Sequence, residues 1–116
     1  RCFRDRGQTD VEHIVALSEA HDSGMCGRAQ GEKVLFAGDP LNLTLASPEV
    51  NREDKRHHDA SRWLPGKNRC WFAARVVAVR RKYGLTIDRA EAQALADVLS
   101  TCESTEMVRH CEPLRD

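Results

Sequence analysis

The sequence has few aromatic residues, few prolines and no long apolar run. Aromatic residues make up 5% of its 116 residues, so a core must depend on Leu, Val, Ala and two tryptophans. No stretch approaches the roughly 18 consecutive apolar residues that a membrane-spanning helix requires, which argues against a membrane partner. The length predicts a single domain, 1–116, with a modest core. A first residue other than methionine predicts an excised domain or processed product, with other domains in a longer parent chain.

The sequence also has no net charge, but this average conceals a gradient along the chain. Residues 1–51 carry a net charge of −3 and residues 83–116 a net charge of −4, whereas residues 52–82 carry ten Lys/Arg against three Asp/Glu, or +7. A central basic block can attract a polyanion such as DNA while acidic flanks keep the protein soluble. The competing interpretation is a set of solvated helix faces.

No C-x-x-C pair is present among the five cysteines, which argues against a zinc ribbon or a thioredoxin-type motif. Widely spaced cysteines are typical of disulfides between distant elements, and disulfides persist in secreted proteins. The other interpretation is that several cysteines are small buried apolar residues. We expect at least one disulfide and favour secretion, with a cytoplasmic domain as the alternative.

Hydrophobic alternation and helix-capping signals predict two short strands followed by helices. Ser47-Pro48-Glu49 is the strongest helix start, because a serine cap, a proline at the first helical position and an early acid coincide there. Gly84 is a stop signal for a long helix before it. The pattern predicts strands over 10–17 and 41–45, and helices over about 18–24, 32–37, 48–60, 68–83, 88–102 and 104–110.

Two adjacent residues and one distant residue, Glu12, His13 and Asn51, have the chemistry of a one-metal phosphodiester-cleaving site. His13 can take a proton from water near neutral pH. A carboxylate from Glu12 and an amide oxygen from Asn51 suit a weak magnesium site that neutralises charge on the phosphate. Neighbouring strand residues point to opposite faces, so Glu12 and His13 can serve one substrate only if the strand ends or bends there.

The ordered motifs resemble HNH endonucleases, the His-Me finger or ββα-metal group. They are Asp10-Val11-Glu12-His13-Ile14-Val15, Asn42-Leu43 and Asn51-Arg52-(x)2-Lys55. Further stretches are similar to a bacterial branch related to the nuclease domain of GmrSD-type restriction enzymes: Ser18-Glu19-Ala20-His21-Asp22-Ser23-Gly24, Asp39-Pro40-Leu41-Asn42-Leu43, Trp63-Leu64-Pro65, Asn68-Arg69-Cys70 and Lys82-Tyr83-Gly84-Leu85. The resemblance implies an α+β fold, with a ββα-metal core over about 10–60 and a helical part over about 61–112.

The resemblance also implies roles for individual residues. His13 would be the general base, and Glu12 would take a metal-ligand place that is an aspartate in many relatives. Asn51 would be the second protein ligand of one Mg²⁺ or Mn²⁺ ion. Asn42 would hold the loop between the strands in register with His13. Lys55 would lie near the phosphate or at the edge of the site.

Our reading is therefore a metal-dependent endonuclease that cleaves DNA with low sequence specificity. Contacts with the phosphate backbone are expected from Lys55, Arg52, Arg56 and Lys67. Because Cys70 and Cys102 bound helices that could pack antiparallel, they form the best disulfide pair; Cys2 with Cys26 comes next, and Cys111 is unassigned. The alternatives are a catalytically silent nucleic-acid-binding module and a secreted, disulfide-stabilised interaction module.

Overall fold

The computed structural model describes residues 8–46, 55 and 58–108. Within them the chain forms a two-stranded sheet and four helices, a mixed α+β arrangement that agrees with the expected class. None of the helices in these residues is long and apolar enough to cross a membrane. The elements are β1 (Asp10–His13), α1 (Leu17–Asp22), α2 (Gln30–Gly38), β2 (Leu43–Ala46), α3 (Arg69–Tyr83) and α4 (Arg89–Leu99). Short 3-10 turns cover Met25–Gly27 and Pro40–Asn42.

The two strands pair antiparallel, with Glu12 opposite Thr44 and His13 opposite Leu43. The predicted first strand was too long, because β1 ends at His13 rather than Leu17. The chain bends at Ile14 and Val15, and both side chains enter the core. The residue types at both positions favour a strand. The side chain of Asn42, however, forms hydrogen bonds with the backbone N–H and C=O groups of Val15, so these groups are not available to extend the strand.

The second strand was also placed slightly too early. It begins at Leu43, because Pro40–Asn42 forms a 3-10 turn that Asp39 caps. The helix expected over 32–37 is longer, at Gln30–Gly38. Most of the helix expected over 48–60 lies outside the described residues, and its described end at Ala60 is in a turn.

Helix α3 forms the centre of the core and agrees closely with the predicted range. Its buried residues Phe72, Ala73, Val76 and Val79 recur at helical spacing. They pack in one cluster with Ile14, Val15, Phe36 and Leu95. Gly84 ends the helix at φ 59°, a left-handed conformation that glycine adopts without steric cost.

Helix α4 begins as predicted after Asp88, whose side chain accepts a hydrogen bond from the Glu91 N–H at 2.8 Å. The helix ends at Leu99, three residues before Cys102. The tail helix expected over 104–110 was wrong for its described part, because 104–108 is not helical. Asn68 binds this segment instead, accepting from the Val108 N–H at 2.7 Å and donating to its carbonyl at 3.1 Å.

The predicted disulfide between Cys70 and Cys102 is confirmed. It joins the first turn of α3 to the segment that follows α4 and closes a loop with a sequence separation of 32. Cys26, by contrast, has a free and exposed thiol, so its predicted pairing with Cys2 was wrong. The neighbouring Met25 fills the core in this short turn, which leaves Cys26 directed outward.

We expect the disulfide to contribute a large share of the stability. Replacing Cys70 and Cys102 together with alanine should lower the free energy of unfolding by about 2–4 kcal/mol, because the unfolded chain regains the freedom that the cross-link removes. Urea denaturation measures this change. Cys26→Ser is the matched control and should stay within about 0.5 kcal/mol of the wild type. A wild-type midpoint that does not move on reduction would contradict the expectation.

Candidate functional site

Asn42 holds the chain directly after His13. Its side-chain oxygen accepts a hydrogen bond from the Val15 N–H at 2.7 Å, and its amide nitrogen donates to the Val15 carbonyl at 3.0 Å. The Asn42 carbonyl accepts from the Ile14 N–H at 2.8 Å. Asn42 is fully buried, so these bonds are protected from water. One asparagine therefore satisfies the backbone groups of the bend that ends β1.

His13 contacts the end of helix α2. Its Nε2 atom lies 2.8 Å from the carbonyl oxygen of Ala37. A carbonyl oxygen only accepts hydrogen bonds, so Nε2 must carry the proton and donate it. In the neutral ring the lone pair is then on Nδ1, which is the atom able to take a proton.

Glu12 is buried beside Lys55, and the two side chains are 3% and 2% exposed. The Lys55 Nζ atom lies 3.7 Å from Glu12 Oε1, which is an ion pair but too long for a hydrogen bond. Burial raises the pKa of Glu12, and the charge of Lys55 partly opposes that rise. Burial likewise lowers the pKa of Lys55 against the influence of Glu12. Each group thus limits the cost of burying the other.

The environment of Glu12 fits a bound cation. Among the residues that the structure describes, no hydrogen bond reaches its buried Oε1 atom. A buried carboxylate oxygen without a donor is costly, and a hard divalent ion is a natural partner for it. The Lys55 ammonium group lies 3.7 Å from the same oxygen, so a cation that binds there must displace this group or overcome its repulsion.

Glu12 and His13 leave the end of β1 toward different partners, Lys55 and the Ala37 carbonyl. The strand stops at His13 and the chain bends immediately afterwards, but the action of both side chains on one substrate stays a prediction.

The other predicted site residues are only partly described. Asn51, Arg52 and Arg56 lie outside the described residues. Lys55 faces Glu12 instead of solvent, so its contact with phosphate stays a prediction. Lys67 is exposed just before α3 and lines a cavity of about 540 Å³ beside residues 104–108.

The sequence interpretation missed a polar cluster that joins Asp39 to the end of α3. Asp39 Oδ2 accepts hydrogen bonds from Tyr83 Oη and Lys82 Nζ, both at 2.5 Å. Arg75 donates to the Leu41 carbonyl at 3.1 Å in the same turn. The motifs around Asp39 and Tyr83 were both recognised, but nothing in the sequence shows that they meet.

A second missed cluster surrounds Arg80. Its guanidinium group binds both carboxylate oxygens of Glu91, at 3.0 and 2.7 Å, and lies 3.8 Å from Glu19. Carboxylate oxygens of Glu19, Asp59 and Glu91 lie within 4.8 Å of one another. Arg80 also donates to Ser23 Oγ at 3.0 Å. Because Arg80 pairs with the most buried of the three acids, we interpret this cluster as a structural ion-pair network.

Removing the Asn42 side chain should destabilise the fold measurably. Asn42→Ala leaves the buried N–H and C=O groups of Val15 without partners, which should cost about 2–4 kcal/mol. Asn68→Gly is the matched control. It removes the same two kinds of contact at an exposed position, and glycine tolerates the left-handed backbone of residue 68. In chemical denaturation, Asn68→Gly should lose less than half of the free energy of unfolding that Asn42→Ala loses. Equal losses in the two variants would contradict the role assigned to the buried Asn42 side chain.

The chain is similar to one protein family and to a curated secreted protein. A family model described as GmrSD restriction endonucleases, C-terminal domain, matches residues 3–98. A protein of Arthroderma benhamiae named "Uncharacterized secreted protein" is 29% identical over 96 residues, which is 80% of this chain and 47% of that protein. The chain therefore spans about half the length of this curated relative. No solved structure matches.

Proposed function

The chain belongs to the family of GmrSD restriction endonucleases, C-terminal domain, and we propose that it is a metal-dependent endonuclease of the HNH, ββα-metal type. Its substrate is DNA, cleaved at phosphodiester bonds with low sequence specificity. The bond between His13 Nε2 and the Ala37 carbonyl carries the proposal, because it leaves Nδ1 as the proton acceptor at the end of β1.

His13 acts as the general base. Its Nδ1 atom takes a proton from the attacking water, and the ring becomes positively charged. Nε2 keeps its hydrogen bond to the Ala37 carbonyl throughout, so the ring does not turn during the transfer. That carbonyl belongs to the C-terminal end of α2, where the helix dipole favours a positive charge.

Glu12 and Asn51 are the proposed protein ligands of one Mg²⁺ or Mn²⁺ ion. When bound, the ion would neutralise negative charge on the phosphate and the leaving oxygen. Glu12 supports this role because its Oε1 atom is buried and receives no hydrogen bond from the described residues. Lys55 holds positive charge beside that oxygen and limits the repulsion between Glu12 and an approaching phosphate.

The substrate contacts are proposed to be electrostatic and directed at the phosphate backbone. Lys55, Arg52, Arg56 and Lys67 belong to the block of residues 52–82, which carries a net charge of +7. No known base-reading motif is recognisable in the sequence, so we expect weak sequence preference and binding that falls steeply with salt. The disulfide and the secreted relative together favour an extracellular setting.

Incubation with supercoiled plasmid tests the activity. Purified protein should convert it to nicked and linear forms with Mg²⁺ or Mn²⁺, and EDTA should stop the conversion. Addition of excess Mg²⁺ should restore it. Binding without cleavage under all metal conditions would instead identify a catalytically silent nucleic-acid-binding module. If the protein neither binds nor cleaves the plasmid, the secreted interaction module is the better description.

A further inference from the structure

The Ala37 carbonyl is available to His13 because helix α2 ends in an unusual way. In a continuing helix, this carbonyl would accept a hydrogen bond from the N–H group four residues later, at Leu41. A tighter 3-10 continuation would use the residue three positions later, but Pro40 has no N–H group. In the sequence Ala37-Gly38-Asp39-Pro40-Leu41, the backbone donor that could continue the helix and compete with His13 for the Ala37 carbonyl is therefore the Leu41 N–H group.

The side chain of Asp39 binds this Leu41 N–H group, so it no longer competes for the Ala37 carbonyl. Its Oδ1 atom accepts the hydrogen bond from the Leu41 N–H at 2.9 Å, which starts the 3-10 turn over Pro40–Asn42. The Leu41 donor is thereby directed away from Ala37. This same turn carries Asn42 into its contact with Val15.

Helix α3 holds the Asp39 carboxylate in place. Tyr83 and Lys82 donate to Oδ2 while the Leu41 N–H uses Oδ1, so both oxygens are engaged. These donors lower the pKa of Asp39 to about 2, with the Lys82 hydrogen bond as the largest cause. The Tyr83 ring packs edge-on against Phe36 of α2, with centroids 5.0 Å apart. Asp39 is therefore ionised and fixed throughout the neutral range.

We propose that Asp39 is a positioning residue for the base: by capping the Leu41 N–H, next to a proline that has no donor, it reserves the Ala37 carbonyl for His13 Nε2. The proposal rests on the proposed function only for its effect on cleavage. Its structural part concerns one hydrogen bond and can be observed without substrate. Among the described residues, the Asp39 side chain contacts Leu41, Lys82 and Tyr83 rather than His13 or Glu12, so it acts through the end of α2.

Proton exchange of the His13 Nε2–H group tests the structural part. Uniformly ¹⁵N-labelled protein should show this proton as a protected side-chain resonance, assigned by its loss in His13→Gln. Asp39→Ala should speed its exchange by about tenfold or more, because the Leu41 N–H then competes for the carbonyl. Asp39→Ser should stay close to the wild type, because serine is also a good cap for that N–H group.

Pro40→Ala gives an independent test and also covers the case in which Asp39→Ala does not fold. It adds an N–H group three residues after Ala37, so it should speed the exchange in the same direction. The proposal is overturned if the folded Asp39→Ala variant keeps the wild-type rate. It is also overturned if Asp39→Ser exchanges as fast as Asp39→Ala, or if Pro40→Ala leaves the rate unchanged.

Plasmid cleavage separates this inference from the proposed function. Asp39→Ala should lower kcat by about tenfold and change KM by less than about twofold, since the base is displaced while the phosphate contacts remain. If the variants show the expected exchange rates but the wild-type protein does not cleave DNA, the proposed nuclease function is refuted and the positioning role of Asp39 stands. An active wild type with unchanged Asp39→Ala kinetics and exchange would refute the positioning alone.

Discussion

His13→Ala should reduce plasmid cleavage by a factor of about 10² to 10⁴, which is the usual contribution of a general base. The variant removes the atom that accepts the water proton and the ring that the Ala37 carbonyl orients. Initial rates of nicking at saturating Mg²⁺ measure the effect. DNA binding should persist, because the phosphate contacts come from other residues.

Two further variants make this result specific. His13→Gln can still donate a hydrogen bond to the Ala37 carbonyl but cannot take up a proton at neutral pH, so it should be nearly as inactive as His13→Ala. His21→Ala removes an exposed histidine of α1 and should change the rate by less than about twofold. A His13→Gln enzyme that keeps wild-type activity would show that the ring only holds structure.

Arg80→Met should lower the free energy of unfolding by about 3–5 kcal/mol, the usual result of removing one partner from a buried ion pair. Glu91 is 1% exposed and receives two hydrogen bonds from Arg80. Without Arg80, the carboxylates of Glu19, Asp59 and Glu91 would face one another with no described cation among them. Chemical denaturation followed by circular dichroism measures the loss.

The size of that loss should depend on pH in a defined direction. Burial raises the pKa of Glu91, while Arg80 lowers it, so removal of Arg80 should raise the pKa further. A carboxyl group with a raised pKa in the folded state stabilises the protein below its unfolded pKa, and this stability is lost as the pH rises through the folded value. The deficit of Arg80→Met should therefore shrink as the pH falls toward 4.5, the ordinary value for glutamate.

The neighbouring Arg81 provides the control for charge alone. Arg81→Met removes one positive charge from an exposed position of α3 and should stay within about 0.5 kcal/mol of the wild type. The double variant Arg80→Met with Glu91→Leu should recover much of the loss, because two apolar side chains can replace a buried ion pair. If Arg80→Met has the same denaturation midpoint as the wild type, the stabilising role assigned to this ion-pair network is contradicted.

The parts of the fold that the sequence predicted well depend on local signals. Helix α3 ends at Gly84 and α4 starts after Asp88, because a left-handed stop and a side-chain cap act within a few residues. The disulfide between Cys70 and Cys102 followed from placing these two helices side by side. The end of β1 was not predicted, because Ile14 and Val15 favour a strand until Asn42, 27 residues later, takes the backbone groups of Val15.

The sequence likewise predicts only part of the candidate site. The types of residue at Glu12, His13 and Asn42 follow from their motifs. Their partners do not, because the Ala37 carbonyl and Lys55 are distant in sequence from the residues they contact. Arg80 belongs to the basic block that is predicted to attract DNA, yet it is 5% exposed and pairs with Glu91. A helical pattern shows which face is polar but cannot show that an acid on another helix meets it.

A crystal soaked in Mn²⁺ tests the cation site on which the account depends. The anomalous difference map should show one peak in contact with Glu12 Oε1 and with the Asn51 side chain. Glu12→Gln crystals treated in the same way should show a much weaker peak. A wild-type map with no peak at Glu12, at a Mn²⁺ concentration that supports plasmid cleavage, would contradict the proposed metal site.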